Sequence, residues 1–317
     1  YHRAKGDSKR FRFVGRERGY HGMNIGATTV GGMINNVKTF ASVLMPGVQH
    51  MRHTHLPEHK FVKGQPETGA ELADDLERIA LNFGAENIAA CIVEPISGST
   101  GTLVPPKGYL NRLRKICDKH DILLIFDEVI TGWGRTGSSF AAKEYGVTPD
   151  IMTMAKATTN GIVPMGVVAV KEEIYDTIVN ASPDGVIELF HGYTYSGIPV
   201  AVAAALAVQD IFEKEDIFNR AKNLSSYFLD GLFSLKDIDC VENIRGYGLM
   251  GGIDIKKTDR PGKAGFQTYK KCYEKGVNFK ATGDCLIIAP PFISEKKHID
   301  EIIEKLRTGI TSYSKSK

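Results

Sequence analysis

Two spacings of apolar residues alternate along the chain. Ile88 to Val93 and Ile122 to Phe126 are unbroken apolar runs, and Ile151 to Met154 is a shorter, mostly apolar one; all are too short for stable helices, which predicts buried strands. Before and between them Leu72, Leu76, Ile79 and Leu81, and then Leu110, Leu113, Ile116 and Cys117, return every one to four positions. That spacing predicts helices over residues 71–83 and 109–120. Short alternation of strand, helix and strand implies a parallel sheet covered on both faces. Residues 9–16 alternate as a strand, and residues 162–170 supply another. An alanine-rich helix from Pro199 to Phe212 leads into the last third. There Gly246, Gly248, Gly251 and Gly252 punctuate the chain, strands are expected at residues 249–255 and 285–289, and a helix closes it over residues 295–310. The expected fold is α/β: a mostly parallel sheet between helices over residues 1–212, with a smaller α+β domain over residues 213–317. No Pro/Gly/Ser linker separates them, so the two domains are expected to share an interface.

Charge narrows the function classes. Forty Lys and Arg stand against 37 Asp and Glu, a net charge of +3, which gives no electrostatic case for nucleic acid or membrane binding. The basic opening (Arg3, Lys5, Lys9, Arg10, Arg12, Arg16, Arg18) reads as a solvated strand edge with a few phosphate-facing side chains. Cys91, Cys117, Cys240, Cys272 and Cys285 are odd in number and lack CxxC spacing, which argues for a reducing, cytoplasmic setting and against a disulfide or zinc framework. His50, His53, His55 and His59 lie near prolines and glycine, without the helical spacing of a metal protease, so no metal is expected. No apolar stretch approaches the ~18 residues of a membrane span.

Chemistry is suggested by Asp127 and Lys156, each at the end of a predicted strand and therefore at the sheet edge where ligands bind in such folds. Either residue alone reads more simply as a cap, an ion-pair partner or a solvated charge. Together they suit pyridoxal phosphate, whose ring nitrogen needs a carboxylate and whose aldehyde is held by a lysine as a Schiff base.

The surrounding motifs are Gly19-Tyr20-His21-Gly22, Val93-Glu94-Pro95-Ile96, residues 124–137, Pro149-Asp150, and Asn160-Gly161 before Pro164-Met165-Gly166. In order and spacing they resemble the class III, fold-type I pyridoxal phosphate aminotransferases. Residues 188–197 are most similar to the branch acting on ω-amino acids such as β-alanine with pyruvate. Relatives carry a region ahead of Tyr1 that helps cradle the cofactor phosphate, so the resemblance covers the C-terminal majority of the family's length.

The resemblance implies roles. Lys156 is the Schiff-base lysine and proton shuttle, and Asp127 the partner of the ring nitrogen. Val129, expected in an extended segment, presses on one ring face; Tyr20 stacks on the other and borders the substrate. His21 supports the turn, and Glu94 bonds to groups that hold the cofactor. Thr194 reaches the phosphate of a neighbouring subunit's cofactor, which implies a homodimer or higher oligomer with shared sites; the simpler reading is a cap on the helix that starts near Pro199.

Two departures bear on substrate. Lys280 stands where relatives often have a carboxylate-clamping arginine, and Ser99 where members acting on ornithine or γ-aminobutyrate have a glutamate. An ammonium is a point charge and not a planar fork, so monocarboxylate acceptors such as pyruvate are expected over 2-oxoglutarate. The expected activity is ping-pong transfer of an amino group from an ω-amino acid or amine to pyruvate. A mutase or epimerase on the same fold, or a truncated non-catalytic chain, remains the alternative.

Overall fold

The computed structural model describes residues 1–316. Six strands form the first sheet: β1 (Arg12–Arg16), β2 (Val48–Met51), β3 (Ile88–Val93), β4 (Leu123–Asp127), β5 (Ile151–Met154) and β6 (Val167–Val170), in the order β2-β1-β3-β4-β5-β6. All neighbours are parallel except β6, which runs antiparallel to β5. The helices around it are α1 (Ile25–Val30), α2 (Ile34–Phe40), α3 (Asp74–Phe83), α4 (Tyr109–Lys119), α5 (Ala141–Tyr145) and α6 (Glu172–Asn180). α3 and α4 bury most of the residues their spacing gave: Leu76 and Ile79 of one, with Ala80, and Leu110, Leu113, Ile116 and Cys117 of the other, lie with Val93, Leu124 and Phe126 in one core, whereas Leu81 is 74% exposed. Asp74, Asp75 and Glu77 lie in the first turn of α3, where carboxylates oppose the positive end of the helix dipole.

A second, antiparallel sheet has the order β7-β8-β10-β9, with β7 (Val241–Tyr247), β8 (Met250–Ile255), β9 (Lys280–Thr282) and β10 (Cys285–Ile288). It is covered by α8 (Ile217–Phe233), α9 (Lys263–Glu274) and α10 (Lys296–Lys315). α7 (Pro199–Lys214) opens with proline in its first turn, where no intrahelical donor is lost. Its Val208 and Phe212 already belong to this second core.

Several expectations change. β1 begins three residues later than the alternation suggested, and β6 occupies only the last four residues of the expected 162–170 run. Asn160 and Gly161 have φ of 50° and 77°, which breaks any extended run there, and Pro164 lacks the donor a strand needs. The glycines of the second sheet do more than punctuate. Gly246 and Gly251 sit inside β7 and β8, where a Cβ would lie 2.6 Å from Leu229 Cδ2 and 2.2 Å from Leu232 Cδ2. Their bare faces let α8 approach the sheet.

The basic opening is only partly a solvated edge: Arg3, Lys5 and Lys9 are exposed, but two arginines are held inside. Arg10 bonds the carbonyls of Ala85, Ile88, His120 and Asp121, and Arg16 is buried against Glu94 O and Ser97 Oγ. The histidines disperse as well: His50 bonds Gly31 O, His59 meets Thr68, and His55 faces Asp254. Among the described residues no helix is long and apolar enough to cross a membrane.

Candidate active site

The order of the first sheet reverses between β1 and β3, and the crevice at that point lies beyond the carboxyl ends of the strands, the usual ligand position in open α/β sheets. The turn after β1 carries Tyr20 and His21, and β3 ends before Glu94. Glu94 closes the crevice: Oε1 accepts from the Tyr20 amide at 2.9 Å and Oε2 from the Gly98 amide at 3.0 Å. Burial pushes its pKa up, partly countered by His21 and by the Tyr20 amide.

Asp127 ends β4 and is 6% exposed. Its Oδ2 meets His21 Nδ1 at 2.8 Å, and its Oδ1 accepts from the Val129 amide at 3.0 Å. That second bond turns the chain immediately after the strand, so Val129 is in a turn and the extended-segment argument for its placement fails. The imidazole joins two motifs far apart in sequence. His21 was expected only to support the turn, and no spacing signal announces the pair. His21 Nε2 is buried without a partner.

Glu128, the acid next to Asp127, points elsewhere. Wholly buried, it accepts from Thr131 Oγ1 at 2.6 Å and from the amides of Ala141 and Ala142 at 2.9 and 2.7 Å, holding the start of α5. These donors offset the cost of burying a carboxylate.

Lys156 follows β5 with φ of 48°, a left-handed conformation that costs a residue with a Cβ ~1–2 kcal/mol. Such strain persists where the surroundings hold it. Here Thr158 Oγ1 donates to Ala155 O, and Trp133 Nε1 donates to Thr158 Oγ1, both at 3.0 Å. Trp133 is the chain's only tryptophan. Desolvation pulls the Lys156 pKa below the usual lysine value; Asp127 and Glu94 oppose that, and the nearby positive charge of Lys280 adds to it. The structure therefore gathers Tyr20, His21, Glu94, Asp127, Lys156 and Lys280 around one crevice.

Thr194 is not gathered there. It is exposed in a short 3-10 turn, Tyr193–Tyr195, within a segment whose Phe190 and Tyr195 are 85% and 82% exposed. Nor does it cap α7, whose N-cap residue Ile198 has no side-chain cap bond.

The donor set fits pyridoxal phosphate. A buried carboxylate, fixed by His21 and a backbone amide, shares the crevice with a lysine that is open to solvent and has a lowered pKa. A protonated pyridine nitrogen and an aldehyde need those two groups.

Comparison with known proteins agrees. The family model for class-III aminotransferases matches residues 1–310. An ω-aminotransferase of Caulobacter vibrioides is 51% identical over 309 residues, 97% of this chain and 70% of the relative. A β-alanine–pyruvate aminotransferase of Pseudomonas aeruginosa is 44% identical over 307 residues, 96% of this chain and 68% of the relative. Among solved structures, the ω-transaminase of Pseudomonas jessenii in complex with PMP superposes with a TM-score of 0.92 at 31% identity, covering 99% of this chain and 71% of that one.

Proposed function

This chain belongs to the class-III aminotransferase family, which works with pyridoxal phosphate, and we propose that it moves the amino group of an ω-amino acid or amine, such as β-alanine, to pyruvate. The observation that carries the reading is the His21–Asp127–Lys156 arrangement at the sheet's switch point. Relatives named for β-alanine, ω-amino acids and pyruvate at 43–44% identity support the substrate class.

When bound, pyridoxal phosphate supplies an electron sink for the electrons left behind when the donor carbon loses a proton. Asp127 holds the positive charge on the ring nitrogen, and His21 keeps that carboxylate in one orientation. Lys156 Nζ would hold the aldehyde carbon and, as a free amine, would take the proton from the donor carbon and deliver it to the carbon that carried the aldehyde. A lysine whose pKa is lowered by desolvation is suited to that work near neutral pH. Tyr20, tethered through its amide by Glu94, would border the ring, and Val129, whose amide donates to Asp127, would lie close to it. Lys280 meets a substrate carboxylate as a point charge. Ser99 cannot form the salt bridge by which a glutamate would occupy such a cation.

The same reading makes the protein a homodimer in which Thr194 serves the neighbouring subunit's cofactor phosphate. The outward-facing Ile162, Ile187, Phe190 and Tyr195 support it, since such patches mark interfaces. The activity is tested by incubating the chain with pyridoxal phosphate, β-alanine and pyruvate. One alanine per donor consumed is expected; isomerised donor with no alanine would overturn amino transfer.

A further inference from the structure

The segment from Ser97 to Leu103 is held from both cores. On the side of the first sheet, Gly98 N donates to Glu94, Arg16 donates to Ser97 Oγ at 2.9 Å, and Arg18 donates to Thr100 O at 3.2 Å while Thr100 Oγ1 donates back to Arg18 O. On the other side Arg245 of β7, 4% exposed, donates through Nε to Gly101 O at 2.8 Å. Its two terminal nitrogens bind Asp254 of β8 at 2.6 and 3.0 Å. Thr102 Oγ1 reaches Gly251 O at 3.3 Å.

The fit leaves no slack. A Cβ on Gly101 would stand 2.7 Å from Arg245 Nη2 and 3.0 Å from Cys285 Sγ, and one on Gly252 would stand 2.5 Å from Gly101 O. Asp254 holds the guanidinium by two parallel bonds, which fixes its plane and aims Nε at the loop. Arg245 is buried and Asp254 partly so, which makes loss of the carboxylate costly because it would leave the guanidinium without its counter-charge.

We propose that Arg245 and Asp254 are positioning residues for the cofactor site: by fixing Gly101 they seat Gly98 against Glu94, and so set where Glu94 places the Tyr20 amide. The proposal rests on the site described above and adds that its shape depends on an ion pair in the other core. Two donors stabilise the Glu94 carboxylate against burial. Losing Gly98 leaves only Tyr20, with His21, Arg16, Asp127 and Lys156 as the charged groups facing it. The carboxylate then protonates at higher pH.

The test compares wild type, Arg245→Lys and Asp254→Asn, with Asp254→Glu as the conservative rescue. Arg245→Lys keeps the charge and loses the fork. Hydrogen exchange is followed in the full chain without cofactor, in peptides covering residues 17–23 and 94–103. Pyridoxal phosphate affinity is read from quenching of Trp133 fluorescence across pH. The expected result is faster exchange in both peptides, about tenfold weaker cofactor binding, an acid limb moved to higher pH, and partial recovery in Asp254→Glu. Loosening confined to β7, β8 and their neighbours, with residues 17–23 unchanged and affinity intact, would overturn the proposal. Wild-type chain that takes up no cofactor would instead strike at the site assignment, and exchange at residues 17–23 would then decide the coupling alone.

Discussion

Lys156 concentrates the account. Strand end, left-handed backbone, desolvation and two nearby carboxylates converge on one amine. Lys156→Ala is expected to lower transamination by about 1000-fold or more, because attachment of the cofactor and proton transfer are lost together; initial rates on β-alanine and pyruvate check it. Asp127→Asn keeps the shape but not the charge, and turnover should fall by about 100-fold, with the His21 contact retained in a crystal structure. Lys280 acts on the same amine from a distance. Its positive charge disfavours the Lys156 ammonium, so Lys280→Ala should raise the Lys156 pKa. A base that must be neutral then needs a higher pH, and the acid limb of the rate profile moves to the alkaline side. The same variant should weaken β-alanine and pyruvate more than a simple amine donor, measured in separate half-reactions. An equal effect on both would remove Lys280 from carboxylate recognition.

Elements show where sequence is a good guide and where it is not. Asp150, read only as part of a motif, ties together β4, α4 and the residue that follows β6. It accepts from Leu124 N at 2.7 Å and Arg114 at 2.8 Å, and pairs with Lys171 at 2.6 Å. Its burial raises the carboxyl pKa, but these partners more than offset that and hold it below the usual value. Stability from it is present above the unfolded-state pKa and lost as pH falls through the folded one. Asp150→Ala should destabilise the chain by about 3 kcal/mol at pH 7, with a smaller difference in acid, by urea unfolding at both pH values. β3 was legible to the residue because a buried parallel strand is apolar throughout, and β5 because its short, mostly apolar run ends at the turn that carries Lys156. β7 was not, since Glu242, Arg245 and Gly246 interrupt its run; Arg245 is there for an ion pair that only the fold supplies. α8 and α9 also had no counterpart among the expectations, although Ile217, Ala221, Leu224 and Phe228 repeat at helical spacing. In the crevice, the strand-end positions of Asp127 and Lys156 were readable, while His21–Asp127 and Trp133–Thr158 join residues that no local pattern relates.

For the whole molecule the fold is two cores joined by short, specific ties. Arg135 adds another: half-buried and stacked on Phe292 at 4.2 Å, it donates to Pro290 O at 2.5 Å, and desolvation lowers its pKa to about 10. Assembly is the next level. If Thr194 completes a neighbour's site, mixing inactive Lys156→Ala and Thr194→Ala chains should restore part of the activity through one intact composite site, and sedimentation should give a dimer. An active monomer would end the shared-site reading. All of these claims presuppose that Lys156 is the residue that holds the cofactor. Borohydride reduction of the chain with pyridoxal phosphate, followed by peptide mapping, tests this most directly. The account predicts a single cofactor-modified peptide containing Lys156; modification of Lys280 or of another lysine in its place, with Lys156 untouched, would contradict it.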